Sequence, residues 1–232
     1  ARLLYVPVFI PDIILAVALL LVFAWLNRWL GWCQPSLTTM VLAHVTFQQA
    51  LLLDEQDANG LELQLTLDGP SPGKARTFQF FSRRNEGWAR HAQGALLGDQ
   101  GAMMATEVNE SIQSLRDRLV ERSVATFYEH VAETGIQFGP AFQGLVSLWG
   151  GQDEALGEIA APADAPAGAW HVHPVVLDAC LQVAGAVGPG PEGTSDSAVY
   201  VPFEIGALHV SKTTQAARFY CYCRRHASSR GT

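Results

Sequence analysis

From Ile13 to Leu26 the chain runs fourteen residues without a polar side chain, and extending the run back to Leu3 adds only Asp12 as a charge. A stretch of this kind fits either a fully buried helix or a membrane span. Spanning takes about twenty apolar residues, which would set Asp12 in or near the bilayer at a cost of about 2.5–3.5 kcal/mol if it were central. Trp25, Trp29 and Trp32, with Arg28, could anchor such a span at an interface, or close the end of a core helix. No small-residue cleavage site follows the run, which argues against a signal peptide. The expectation carried forward is a core helix over about 12–30, with a membrane-anchored protein spanning at 3–26 as the alternative.

Beyond this run the period changes. Val41 to Leu53 suits a long bent strand or a strand pair. Leu61, Leu63, Leu65 and Leu67 alternate with Glu62, Gln64 and Thr66, the period of a half-buried strand. Thr77–Ser82 and Trp88–Leu97 read as two more strands across a turn at Asn85-Glu86-Gly87. Gly98 to Ser111 is linker-like. Ile112 to Glu133 reads as helical material, with Val124, Phe127, Tyr128 and Val131 on its apolar side, stopped by Gly135. Leu145 to Ile159 gives two strands about Gly150-Gly151. Pro174 to Val187 is a second apolar helix with proline suited to its first turn. Tyr200–Val210 and Ala217–Arg224 are strands. The predicted organisation is a helix-plus-sheet unit over 1–97, a linker over 98–123, and a second helix-plus-sheet unit over 124–232 with its helix at about 174–187.

Composition narrows the picture. Apolar residues make up 49% and charged residues 16% of the 232, so there is material for a core and no sign of bulk disorder. A net charge of -7 excludes nucleic acid as the main partner, because phosphate binding needs clustered Lys and Arg. The short basic patches at Arg83-Arg84, at Arg116, Arg118 and Arg122, and at Arg224-Arg225 read as solvated surface, with docking of an acidic partner as the functional alternative. Cys33, Cys180, Cys221 and Cys223 lack metal-ligand spacing. They read as reduced thiols of a cytoplasmic protein, with Cys221 and Cys223 on one face of a strand. The chain begins with Ala1 and ends in a polar tail, and looks like a piece of a longer polypeptide.

Two runs carry the candidate chemistry. Gly135-Ile136-Gln137-Phe138-Gly139-Pro140-Ala141-Phe142-Gln143-Gly144-Leu145 is a rigid Gly/Pro turn bounded by apolar residues. His171-Val172-His173-Pro174-Val175-Val176-Leu177-Asp178-Ala179-Cys180-Leu181-Gln182 sets an acid and an amide four apart on an apolar helix, where they share a face. An acid in such a wall is disfavoured in its charged form by desolvation. Together the runs resemble the dehydratase domain of a modular type I polyketide synthase, over roughly Pro35 to Val210. Val201-Pro202-Phe203 resembles a further run of that family, and Trp88–Gly94 looks like the strand closing its first sheet, with His91 structural there.

The resemblance implies an α+β double hotdog, two curved antiparallel sheets each wrapping a central helix, the second possibly truncated. It implies removal of water from a (3R)-3-hydroxyacyl chain on an acyl carrier protein, giving a trans-2-enoyl thioester. Such a reaction needs a base for the C2 proton and an acid for the leaving C3 hydroxyl. The resemblance makes Asp178 the acid and Gln182 the residue that orients it. Phe138, Gly139, Pro140, Phe142, Gln143, His173, Pro174 and Pro202 would line or shape the acyl channel, with His173 holding the turn into the helix. No metal, nucleotide or bound cofactor is implied, since the carrier's phosphopantetheine arm brings the substrate. The implied partners are the carrier protein, neighbouring synthase domains and a second copy of the chain.

One element of the family pattern departs. The family's base is a histidine in a His-x-x-x-Gly-x-x-x-x-Pro run ahead of the first central helix. With Pro11 as that proline, the glycine position is Val6 and the histidine position is Arg2. A guanidinium stays protonated and cannot act as a base near neutral pH. Three explanations follow: a catalytically inactive, dehydratase-like scaffold domain; a working domain in an altered or incomplete sequence; or another task on a carrier-bound chain, such as double-bond shifting. His44, well past the helix, is a poor substitute.

Overall fold

The computed structural model describes residues 40–49, 51, 61–69, 75–84, 87–97, 110–162, 173–188, 204–206, 208–210 and 217–225. The expected first helix at about 12–30, Cys33, His171 and Pro202 lie outside the described residues. The chain divides into two units, one of residues 1–106, 167–172 and 201–214, the other of 107–166, 173–200 and 215–232.

The first unit is an antiparallel sheet. Its strands are β1 (Met40–Phe47), β2 (Glu62–Leu67), β3 (Arg76–Arg84), β4 (Gly87–Leu97), β8 (Glu204–Ile205) and β9 (Leu208–Val210). The order is β2-β3-β4-β1-β8, with β9 also on β1. Alternation explains which side chains go inward: Phe78 and Phe80 are buried while Thr77 and Gln79 between and beside them are not. On β4 the alternation breaks, since adjacent His91 and Ala92 are both buried. The cause is a bulge: Phe80 pairs with Ala92 but Phe81 pairs with Arg90, leaving His91 as the extra residue. A bulge re-aims a side chain, and here it turns His91 inward.

The second unit wraps a four-stranded antiparallel sheet around a helix. Its elements are α1 (Ile112–Arg118), β5 (Val120–Arg122), α2 (Val124–Glu133), a single 3-10 turn (Pro140–Phe142), β6 (Leu145–Gly150), β7 (Glu154–Ala160), α3 (Pro174–Ala184) and β10 (Arg218–Arg224). The sheet order is β10-β7-β6-β5. One face carries Leu145, Leu148, Ala155 and Ile159 against Val176, Ala179, Val183 and Ala186 from α3 and its C-terminal turn. The other carries Trp149 and Leu156 against Leu115 and Leu119. Burying these side chains contributes roughly 1.5–3 kcal/mol for each large one.

Three expectations are corrected. The 98–123 linker contains α1 and β5, which belong to the second unit. The helical reading of Ile112–Glu133 breaks at Leu119–Ser123, because Val120–Arg122 pairs with Leu148–Gly150. Ser111 and Ser123 each cap a new helix, accepting from Ser114 N and Thr126 N. The strand expected at Tyr200–Val210 in the second unit instead pairs with β1 of the first: Val45 meets Ile205 and Val41 meets His209.

Candidate functional site

The site is built on α3. His173 is its N-cap, accepting from Val175 N through Nδ1 at 3.3 Å, and Pro174 opens the first turn. The N-cap satisfies one of the helix's orphan donors, and proline there sacrifices no intrahelical bond. At the other end the Arg122 guanidinium reaches the carbonyls of Ala186, at 2.8 Å, and Gly188. Burial lowers the Arg122 pKa. A cation on these terminal carbonyls complements the helix dipole.

α3 lies close on the sheet because Gly157 has no side chain. A Cβ built there would overlap Val183. Val176, Ala179 and Val183 face the sheet, and Asp178 and Gln182 are buried beside them, 7% and 8% exposed. The Gln182 Nε2 donates to Asp178 Oδ2 at 2.7 Å and to the Phe142 carbonyl at 2.9 Å. Its Oε1 accepts from the Tyr128 hydroxyl at 3.0 Å, and Tyr128 Oη accepts from the Leu145 N–H at 3.3 Å. Burial, with the Asp178 charge adding to it, pushes the Tyr128 phenol up to about 12, against a smaller downward pull from the Leu145 N–H.

The Gly/Pro turn supplies the carbonyl in this network. α2 ends at Glu133, and Gly135 follows at φ 104, a left-handed conformation that glycine adopts at no steric cost. The backbone then enters the 3-10 turn, capped by Gly139 with Pro140 first. Gln143 closes the turn by donating to the Phe138 carbonyl at 2.8 Å. The Phe138 ring meets Tyr128 edge-on at 5.9 Å.

The structure therefore brings Asp178, Gln182 and Phe142 together directly, with Phe138 one residue away through Tyr128. Gln143 is exposed and works on the turn, and His173 holds the helix start. The residue that sequence reasoning missed is Tyr128, counted there only as apolar helix material. The available signal was its type: a tyrosine packed against the core on the apolar side of a helix usually finds a partner for its hydroxyl. His44 bonds Thr46 at 2.9 Å and faces Glu204 at 3.3 Å on β1. Cys221 and Cys223 do share a face, with sulfurs 3.8 Å apart, and with Cys180 they are free thiols. Among the described residues no helix is long and apolar enough to cross a membrane.

A family model described as the polyketide synthase dehydratase N-terminal domain matches residues 106–232. Mycoketide-CoA synthase of Mycobacterium tuberculosis is 34% identical over 63% of this chain, and polyketide synthase GfsE of Streptomyces halstedii is 30% identical over 74%. The chain spans only 4% and 5% of those proteins' lengths. Among solved structures, the dehydratase domain of RzxB from Pseudomonas fluorescens superposes with a TM-score of 0.75 at 24% identity, covering 93% of this chain and 75% of that one. The dehydratase domain from the CurK module of curacin polyketide synthase gives 0.73 at 24%, covering 88% and 73%. Two mutants of the CurK dehydratase described as inactive also match, one with a histidine changed to phenylalanine and one with an aspartate changed to asparagine. The fold is thus the α+β double hotdog of these domains, and the chain belongs to the polyketide synthase dehydratase family.

Proposed function

We propose that the chain is the dehydratase domain of a polyketide synthase in which Asp178 is the general acid. It protonates the C3 hydroxyl of a (3R)-3-hydroxyacyl thioester as a general base, the role the family gives to a histidine, takes the C2 proton. Water leaves, and C2 and C3 become the double bond of a trans-2-enoyl thioester. The observation that carries this reading is the placing of Asp178: a carboxyl buried in an apolar wall and held through Oδ2 by an amide that is itself fully bonded. Low-dielectric burial favours the protonated form that an acid needs near neutrality, and the amide holds its direction. The CurK dehydratase with an aspartate changed to asparagine is described as inactive, a precedent for an acid of this type on this fold. The acyl chain arrives on a carrier protein's phosphopantetheine arm, and the turn at Phe138–Gln143 shapes the wall beside the acid. The partners in this reading are the carrier protein, the adjoining synthase domains and a second copy of the chain, in the cytoplasm.

A second reading rests on Arg2, which stands where the family pattern has its histidine. With no base at that position, the domain would serve the synthase as a scaffold. The deciding experiment incubates the protein with a (3R)-3-hydroxyacyl carrier protein and follows intact mass for loss of water, beside Asp178→Asn. Water loss that the variant abolishes establishes the dehydratase. No loss from folded protein establishes the scaffold.

A further inference from the structure

We propose that Tyr128 is a positioning residue: its hydroxyl holds the Gln182 amide in the single orientation that presents an N–H to Asp178. The proposal rests on the reading of Asp178 as the acid. The two ends of a glutamine amide are almost the same size, so shape alone does not choose between them. Two backbone groups of fixed polarity make the choice here. The Leu145 N–H can only donate, so at 3.3 Å it occupies a lone pair of Tyr128 Oη. The phenolic proton is then directed at Gln182 Oε1, 3.0 Å away. The Phe142 carbonyl can only accept, and it takes one hydrogen of Gln182 Nε2 at 2.9 Å. The second hydrogen goes to Asp178 Oδ2 at 2.7 Å.

The consequence reaches the proton itself. A carbonyl-type oxygen accepts better than a hydroxyl oxygen, so an N–H held on Oδ2 favours the acid proton on Oδ1. Flipping the amide would set Oε1 against the Phe142 carbonyl, two acceptors together, and would draw the Asp178 proton onto Oδ2, where Oε1 could accept it. Tyr128 is well suited to prevent that. Its ring is held edge-on by Phe127 at 5.5 Å and by Phe138 at 5.9 Å. Its burial keeps the phenol protonated far above neutrality. It sits on α2, so two helices and the turn between α2 and β6 meet in one chain of hydrogen bonds.

The test compares wild type with Tyr128→Phe in two measurements. The first is the exchange protection of the Gln182 side-chain NH₂ by ¹⁵N NMR, which does not depend on turnover. The second is kcat and KM for dehydration. The expected result is loss of that protection at unchanged melting temperature, with kcat down about tenfold and KM unmoved. If wild type shows no dehydration but Tyr128→Phe still releases the amide, the acid reading fails and the positioning role stands. Protection unchanged in Tyr128→Phe overturns the proposal, whatever the rate does. Should that variant not fold, wild type decides: a slowly exchanging Tyr128 hydroxyl proton close to the Gln182 side chain sustains it, and its absence overturns it.

Discussion

Among the described residues each unit holds a buried polar cluster of hydrogen-bonded side chains and backbone carbonyls, His91 in one and Asp178 in the other, and these two are built alike up to one group. In the first, His91 Nδ1 donates to the Gln49 carbonyl at 3.0 Å, and Nε2 shares a 2.6 Å bond with Ser82 Oγ, with Phe80 alongside at 6.2 Å. In the second, Tyr128, Gln182 and the Phe142 carbonyl converge on Asp178. Both are pinned by backbone groups, and both lie in low dielectric, where satisfied hydrogen bonds rigidify. The first joins a hydroxyl and an imidazole to a backbone carbonyl and tightens a bulge. The second delivers a carboxyl in a set direction. Burial and hydrogen bonding alone therefore do not mark a working site; under the proposed function it is the carboxyl at the end of the second chain of bonds that sets it apart.

The comparison is open to attack from both ends. Asp178→Asn is expected to slow water loss about 10²–10⁴-fold while the melting temperature stays close to wild type; a variant that keeps its rate removes the distinction. His91→Ala is expected to do the reverse, costing about 2–4 kcal/mol in urea unfolding through the cavity and the orphaned Ser82 and Gln49 groups. A folded His91→Ala protein that had lost turnover would give the first cluster a chemical role. Gly157→Ala should blur the two behaviours, since a Cβ on β7 would push Val183, and α3 with it, off the sheet at a cost of about 1–3 kcal/mol and would move Asp178 with the helix; stability and rate should fall together.

The smallest effect is electrostatic. Glu154 is held down to about 2, chiefly by its Arg118 bond and then by Tyr222. A depressed carboxylate stabilises the folded state above its unfolded pKa of about 4.3, and that contribution disappears as pH falls toward 2. The pair is partly solvated, so Glu154→Gln should flatten the stability curve only slightly within that acid window, and 1 M salt should shrink the difference further.

Period and punctuation made much of this legible. Leu61–Leu67 alternates and holds β2, and Thr77–Ser82 and Trp88–Leu97, set either side of a turn, fall in β3 and β4. Pro174 marked the start of α3, and the spacing of Asp178 and Gln182 placed them in contact. What escaped has physical reasons. α1 turns only Leu115, with Leu119 just beyond it, toward the core, and its other positions, Ile112 included, are exposed or half-exposed, so periodicity had almost nothing to register. β5 has three residues and leaves Val120 69% exposed. A strand's existence is local, but its partner is not, and nothing in residues 204–210 says which sheet they complete. Tyr128 counted as apolar because hydropathy weighs its ring and not its hydroxyl.

The pairing of β8 and β9 with β1 has a bearing on how the chain is made. β1 is made well before α3, yet among the described residues one of its edges is paired by strands synthesised after α3, and the second sheet waits longer still for β10. Contacts so distant in sequence are slow to form, and an uncovered strand edge is a template for the wrong neighbour. Cutting the chain between its two sheets would release neither as a finished piece: residues 1–106 would keep the pairing of β1 with β4 but lose β8 and β9 from its other edge, and the remainder would carry those two strands without β1. In vivo, that gives a nascent chain a long interval in which chaperones, or a neighbouring copy, can reach the edge before its own strands do.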